Sequence, residues 1–238
     1  MKHLGPLAPL FTRRLAAGAV WPWRCMAVAA AVFLSACAGT PPPDWQMNAR
    51  SAMELSLRAW FEGNQRVEEA EFRRAVHEAS ASGRPELVLR LQLMRCAARV
   101  AVLDAGEDVC PADDVVQRDG SAAEQAYHRY LAGQLSTEDV ALLPEAQRRA
   151  ATAGTAAALA GIEDAQSRLI AAGVLYRRGR AGPDVLAQAI DTASAQGWRR
   201  PLLAWMRLAQ ERARAAGDEA QVQRLQRRIE VTGGASLP

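Results

Sequence analysis

The sequence predicts an all-α fold built from antiparallel helix pairs, and three observations carry that expectation. Apolar residues recur at spacings of three and four, glycine stands just past most of the resulting stripes, and no segment alternates with period two long enough to make a strand. Aromatic residues are only 5% of the 238. A small-residue, alanine-rich chain suits closely packed helices better than sheets.

An opening helix is marked by Trp45, Ala49, Met53 and Trp60, with Asp44 placed to cap it. Phe72, Ala75, Val76 and Ala79 form a second stripe that stops at Gly83. The next helix, expected over about 85–103, is apolar on two faces. Leu87, Leu91, Met94 and Ala98 line one, and Leu89, Leu93, Cys96 and Val100 the other. Such a helix belongs at the centre of its domain.

Residues 104–134 are the least regular. They hold the acidic loop 104–119, "DAGEDVCPADDVVQRD", and then "SAAEQAYHRYLAG", where Ser121 and Glu124 have capping-box spacing. A short helix is expected from Ser136 or Thr137 to near Pro144. Further on, Leu186, Ala189, Ile190 and Ala193 share a face that ends at Gly197. Leu202, Leu203, Met206, Ala209 and Ala213 make the next stripe, with Pro201 in its first turn. Val222, Leu225 and Ile229 make the last, after Gly217-Asp218.

The halves echo each other: "AVHEASASG" at Ala75 aligns with "AIDTASAQG" at Ala189, 114 positions later, and Leu-rich helices follow both. With the helix–glycine–helix rhythm this predicts an α-solenoid, each pair burying its apolar face on the next. The pattern resembles tetratricopeptide-like repeats in its small packing residues and its inter-helix glycines. It departs from them in lacking a 34-residue period and the usual aromatic positions.

The N-terminus reads differently. Residues 1–24 carry Lys2, Arg13, Arg14 and Arg24 without an acid, and 25–36 are an apolar run too short to span a bilayer. "Leu34-Ser35-Ala36-Cys37" resembles the lipobox of bacterial lipoproteins. That resemblance implies cleavage after Ala36, diacylation of the Cys37 thiol and acylation of the new amino terminus, with the membrane as a partner through the lipid. An ordinary secretory signal cut at "Ser-Ala-Cys-Ala", or simply an apolar N-terminus, is the alternative. Ala38 and Gly39 lack the aspartate that holds enterobacterial lipoproteins at the inner membrane, which implies outer-membrane anchoring with the domain in the periplasm. The expected organisation is a cleaved signal (1–36), lipidated Cys37 and a Pro-rich tether (37–44), a helical domain (45–232, with possible halves 45–134 and 135–232) and a tail (233–238).

Charge narrows the function. Beyond Cys37 there are 25 basic and 26 acidic residues, a net of −1, so the basic pI of about 8.9 argues for no nucleic-acid partner. Residues 44–145 hold 11 Arg against 18 acids and residues 146–238 hold 14 against 8, so the halves are −7 and +6. Every basic residue after Lys2 is arginine, which excludes a Ser–Lys dyad, a Schiff base and a phosphate-loop lysine.

Cys96 and Cys110 form an even pair, expected to bridge in an oxidising compartment. A buried thiol beside a separately reactive one is the other arrangement the count allows. His77 and His128 lie outside any His-x-x-x-His spacing, the acidic loop lacks EF-hand spacing, and no Gly-x-Ser-x-Gly elbow occurs. No catalytic residue, metal site or cofactor is therefore expected. Five arginines beside two aromatics, Tyr176, Arg177, Arg178, Arg180, Trp198, Arg199 and Arg200, are the candidate partner-binding cluster, because Arg–aromatic clusters are enriched at interfaces. Solvated loop ends with Trp198 packed inward are the plainer alternative. The expectation is a non-enzymatic scaffold binding another envelope protein. The rival is an envelope enzyme acting on peptidoglycan or lipid through the loop 104–119.

Overall fold

Eleven α-helices and one 3-10 turn make up the described part of the chain, and no strand occurs there. The structure, a computed structural model, describes residues 41–104, 106 and 110–233. The signal segment, Cys37, Glu107 and Asp108 lie outside the described residues.

The helices are α1 (Asp44–Glu62), α2 (Gln65–Ser80), α3 (Pro85–Ala101), α4 (Asp113–Asp119), α5 (Ala122–Leu131), α6 (Glu145–Ala153), α7 (Ala156–Ala160), α8 (Ala165–Arg177), α9 (Pro183–Ala195), α10 (Arg199–Ala215) and α11 (Glu219–Val231). The 3-10 turn, Glu138–Leu142, falls where a short helix was expected. Local chemistry sets the starts. Asn64, Thr155, Asp164 and Asp218 each accept a backbone N–H from their helix's first turn. Ser121 and Glu124 close the expected capping box, Glu124 Oε2 accepting from the Ser121 N–H at 2.8 Å. Proline occupies the first turn of α3 and α9, where no N–H is needed. Asp44 is not a cap: Pro43 holds that position, and Asp44 is the first helical residue, its charge near the positive end of the helix dipole.

The sequence echo is also an echo of structure. Helix α3 spans Pro85–Ala101 and α10 spans Arg199–Ala215, the same interval displaced by 114 positions. Gly83 and Gly197, equivalent under that displacement, both have φ +67°, the left-handed turn that reverses the chain between helices. Leu89 and Leu203 are equivalent and each 1% exposed. Each unit closes with an aspartate N–H reaching back to the helix: Asp104 to the Arg99 carbonyl and Asp218 to the Ala213 carbonyl.

One core runs through both halves, holding Met53, Trp60 and Phe61 from the first and Leu169, Leu175, Trp205 and Met206 from the second. Neighbouring helices pack as hairpins (α1 on α2, α9 on α10, α10 on α11), but α3 also packs on α8 and α10 on α1. These last contacts join helices far apart in sequence. Two indoles fasten the arrangement. Trp60 Nε1 donates to the Ala98 carbonyl at 3.1 Å and Trp205 Nε1 to the Ala101 carbonyl at 3.0 Å, which pairs two buried aromatic donors.

The middle of α8 makes the closest approach. A Cβ on Gly173 would lie 2.2 Å from the Val100 carbonyl oxygen of α3. Only glycine lets the two backbones meet there.

Candidate functional site

The arginines of the expected cluster are largely engaged within the fold. Each α-helix ends with carbonyls that have no intrahelical partner, and a guanidinium offers five donors to such groups. Arg177 donates from Nη1 to the carbonyl of Leu131, the last residue of α5 (3.0 Å), and from Nη2 to the Asp104 carbonyl beyond α3 (2.9 Å). Arg200 Nε donates to the Trp60 carbonyl near the end of α1 at 2.9 Å, and its guanidinium lies 3.8 Å from the Trp60 ring centroid. Longer contacts of 3.4 Å run from Arg178 to Ala151 O and from Arg180 to Ala153 O, at the end of α6. Burial pulls the pKa of Arg177 and Arg200 below the ordinary guanidinium value.

Both aromatics rest against buried rings, Trp198 turned inward and Tyr176 still 37% exposed. Trp198 stacks on Phe61 with centroids 4.7 Å apart, and Tyr176 sets its edge to Trp205. Arg180 and Arg199 remain exposed, with Tyr176 at the margin. So part of this cluster, Arg177 and Arg200 above all, joins helix ends across the halves, and Trp198 packs inward as the plainer alternative held. Charge from the second half meets the first through helix-end carbonyls and the Trp60 ring.

A buried ion pair absent from the sequence reading reinforces the same region. Glu68 on α2 is 1% exposed and accepts both Nε (2.6 Å) and Nη2 (3.0 Å) of Arg95 on α3. Arg99 lies 3.8 Å from its second oxygen, contacts Asp104 at 3.1 Å, and stands over the Trp60 ring at 4.2 Å. A two-point Arg–carboxylate pair needs residues 27 positions apart to meet, so no local spacing announces it. Both Glu68 oxygens are taken up in this pairing.

Cys96 and Cys110 are joined as a disulfide with Cα atoms 4.7 Å apart. Cys96 is fully buried on α3, so the bridge ties the irregular segment to the central helix. The acidic loop is divided in its attachments. Asp104 is held by Arg99, Asp119 by Arg118, and Asp113 lies 3.5 Å from His128 Nδ1. His77 is exposed on α2.

A concave surface lies elsewhere, between the first half of α1, the end of α2 and the outer face of α3. It encloses about 410 Å³ over a floor of Ala49, Met53, Leu87, Leu91 and Met94, with Arg50, Glu54 and Arg90 at the rim. Met94 is 40% exposed. The two apolar faces of α3 divide their work: Cys96, Ala98 and Val100 enter the core, Leu89 and Leu93 pack with Val116 in a smaller cluster, and Leu87, Leu91 and Met94 line the groove.

What fold and site define together is an all-helical domain with an apolar, methionine-lined groove on its first three helices. No protein-family model, curated protein or solved structure matches the chain.

Proposed function

We propose that this chain is a bacterial envelope lipoprotein, anchored to the outer membrane through Cys37, whose helical domain is a non-enzymatic adaptor for another envelope protein. The observation that carries the adaptor reading is the groove on α1–α3. Its floor of leucine and methionine is adaptable, and it opens on the helix that directly follows the Pro-rich tether. An amphipathic helix of a partner fits such a surface through anchors spaced at three and four. The tetratricopeptide-like character belongs to the same reading, supported by the matching units α2–α3 and α9–α10.

A photoreactive amino acid placed at Met94 in intact cells tests the adaptor reading, with one at exposed Arg214 as control. The expected result is a single envelope protein crosslinked from Met94, absent from Arg214, and lost on Leu91→Glu. Equal crosslinking at both positions overturns it. The anchor is tested separately by mass spectrometry of the N-terminal peptide. Acyl chains on Cys37 support it, and an unmodified peptide starting at Ala38 or an intact Met1 terminus rejects it.

A further inference from the structure

A second groove lies at the opposite end of the chain, where α10 and α11 converge. Leu202 lines its floor, with the fully buried Met206 four residues on beneath it, and the open trough holds about 430 Å³. Its wall is one face of α11: Arg224, Arg227, Arg228 and Val231 stand at i, i+3, i+4 and i+7. Val231 is 90% exposed, a large apolar side chain left in water at the groove's edge.

The arginines here differ from those of the first cluster. Arg177 and Arg200 are spent on carbonyls, whereas among the described residues no carboxylate pairs with Arg224, Arg227 or Arg228. Arg224 reaches only the neutral side-chain oxygen of Gln221, at 2.9 Å. Three guanidiniums on one helical face, uncompensated and set around an apolar trough, call for a ligand with two parts. The trough offers apolar surface on which a hydrocarbon chain can leave water. The rim offers bidentate donors to a carboxylate or phosphate. Its volume lies in the range of small-molecule sites, roughly 300–1,000 Å³.

We infer that this groove binds a single anionic amphiphile, an acyl chain with its acidic head among Arg224, Arg227 and Arg228. The site is independent of the adaptor groove on α1–α3, so either can fail alone. Apolar burial supplies the affinity and the arginines select the sign of the head group.

The test uses the full chain in nanodiscs of zwitterionic lipid, with a photoreactive dodecanoate as probe and peptide mapping of the adducts. The expected result is labelling at Leu202 or Val231. Replacing all three arginines by Gln should reduce it at least about threefold, because three exposed charge pairs are lost together. Replacing all three by Lys should keep most of it, and this separates loss of charge from loss of fold. A trimethylammonium probe with the same chain should label the groove weakly. Equal labelling of the Gln variant and the parent protein, or equal labelling by the cationic probe, overturns the inference.

Discussion

Leu103 holds the left-handed conformation, φ 61°, at the position in its helix–turn unit that Gly217, φ 71°, occupies in the other. An L side chain in this region costs about 1–2 kcal/mol, which glycine avoids. Leu103 is held there by what surrounds it: its side chain packs on the core, and its neighbour Asp104 is gripped by Arg99 and Arg177. Gly217 has no such grip, and a Cβ there would meet nothing within 4 Å. Gly217→Ala is therefore expected to cost only the conformational term, about 1 kcal/mol. For a domain near 200 residues that is a Tm drop of about 2–4 °C by circular dichroism. An unchanged Tm would contradict the strain argument.

Gly173→Ala makes the opposite case. Helix propensity alone favours alanine by about 1 kcal/mol. The added Cβ, however, would lie 2.2 Å from a backbone oxygen of α3, which cannot swing aside as a side chain can. Separating α3 from α8 also disturbs the core around Val100 and Leu169. The expected loss is at least 2 kcal/mol, in the upper part of the overpacking range, and so larger than for Gly217→Ala. A neutral or stabilising Gly173→Ala would mean that the helices cross less closely.

Sequence reading succeeded where local pattern decides. The last three stripes became α9, α10 and α11, with Val222, Leu225 and Ile229 buried as expected, and Ser121 began α5. It missed the short helices α4 (inside the expected acidic loop), α6 and α7, and it missed α8, for which the reason is physical. Leu169 to Leu175 are buried in unbroken succession, so that helix has no polar face and no stripe to find. The arginine cluster was visible as composition but not as function. Its targets are carbonyls up to 140 residues away, and any backbone offers carbonyls. The groove on α1–α3 was foreshadowed only by the second apolar face of α3.

Arg200→Gln should destabilise the fold, since Arg200 bonds the Trp60 carbonyl and stands over its ring. Losing a charged hydrogen bond and a partly desolvated cation–π contact amounts to about 1–3 kcal/mol. Arg180→Gln, an exposed residue with one long contact, should stay within about 0.5 kcal/mol. Replacing all five clustered arginines together is thus expected to lower helicity on heating, and loss of a partner in that variant would not by itself locate a binding surface. Equal melting curves for Arg200→Gln and Arg180→Gln would show that the carbonyl contact carries no stability.

The Cys96–Cys110 bridge closes a loop with a sequence separation of 14, worth about 3 kcal/mol in the chain-entropy account. Thiol counting on unreduced, unfolded protein should find neither Cys96 nor Cys110 reactive. Replacing both by Ala should lower the urea midpoint and raise the slope, because the unfolded chain is freed to expand. Two alkylatable thiols from these positions would exclude the bridge.

The Arg129–Asp139 pair sets an acid limit on stability. Hydrogen bonds from Arg129 hold the Asp139 carboxyl well below the usual carboxylate range; burial opposes the shift, and Ser136 adds to it. A depressed folded-state pKa contributes stability that is complete above the unfolded value, about 3.9, and fades as pH falls below it. Glu124 acts in the same direction. Burial raises its pKa, but hydrogen bonds from Arg90 and Ser121 outweigh that and lower it. Asp139→Asn isolates the first contribution: it should lower the urea midpoint by a constant amount between about pH 5 and 8. The gap between parent and variant should then narrow below about pH 4, as Asp139 of the unfolded parent takes up its proton while the folded carboxylate, held by Arg129, does not. A gap that widens on acidification would reverse the sign and remove Asp139 from the account.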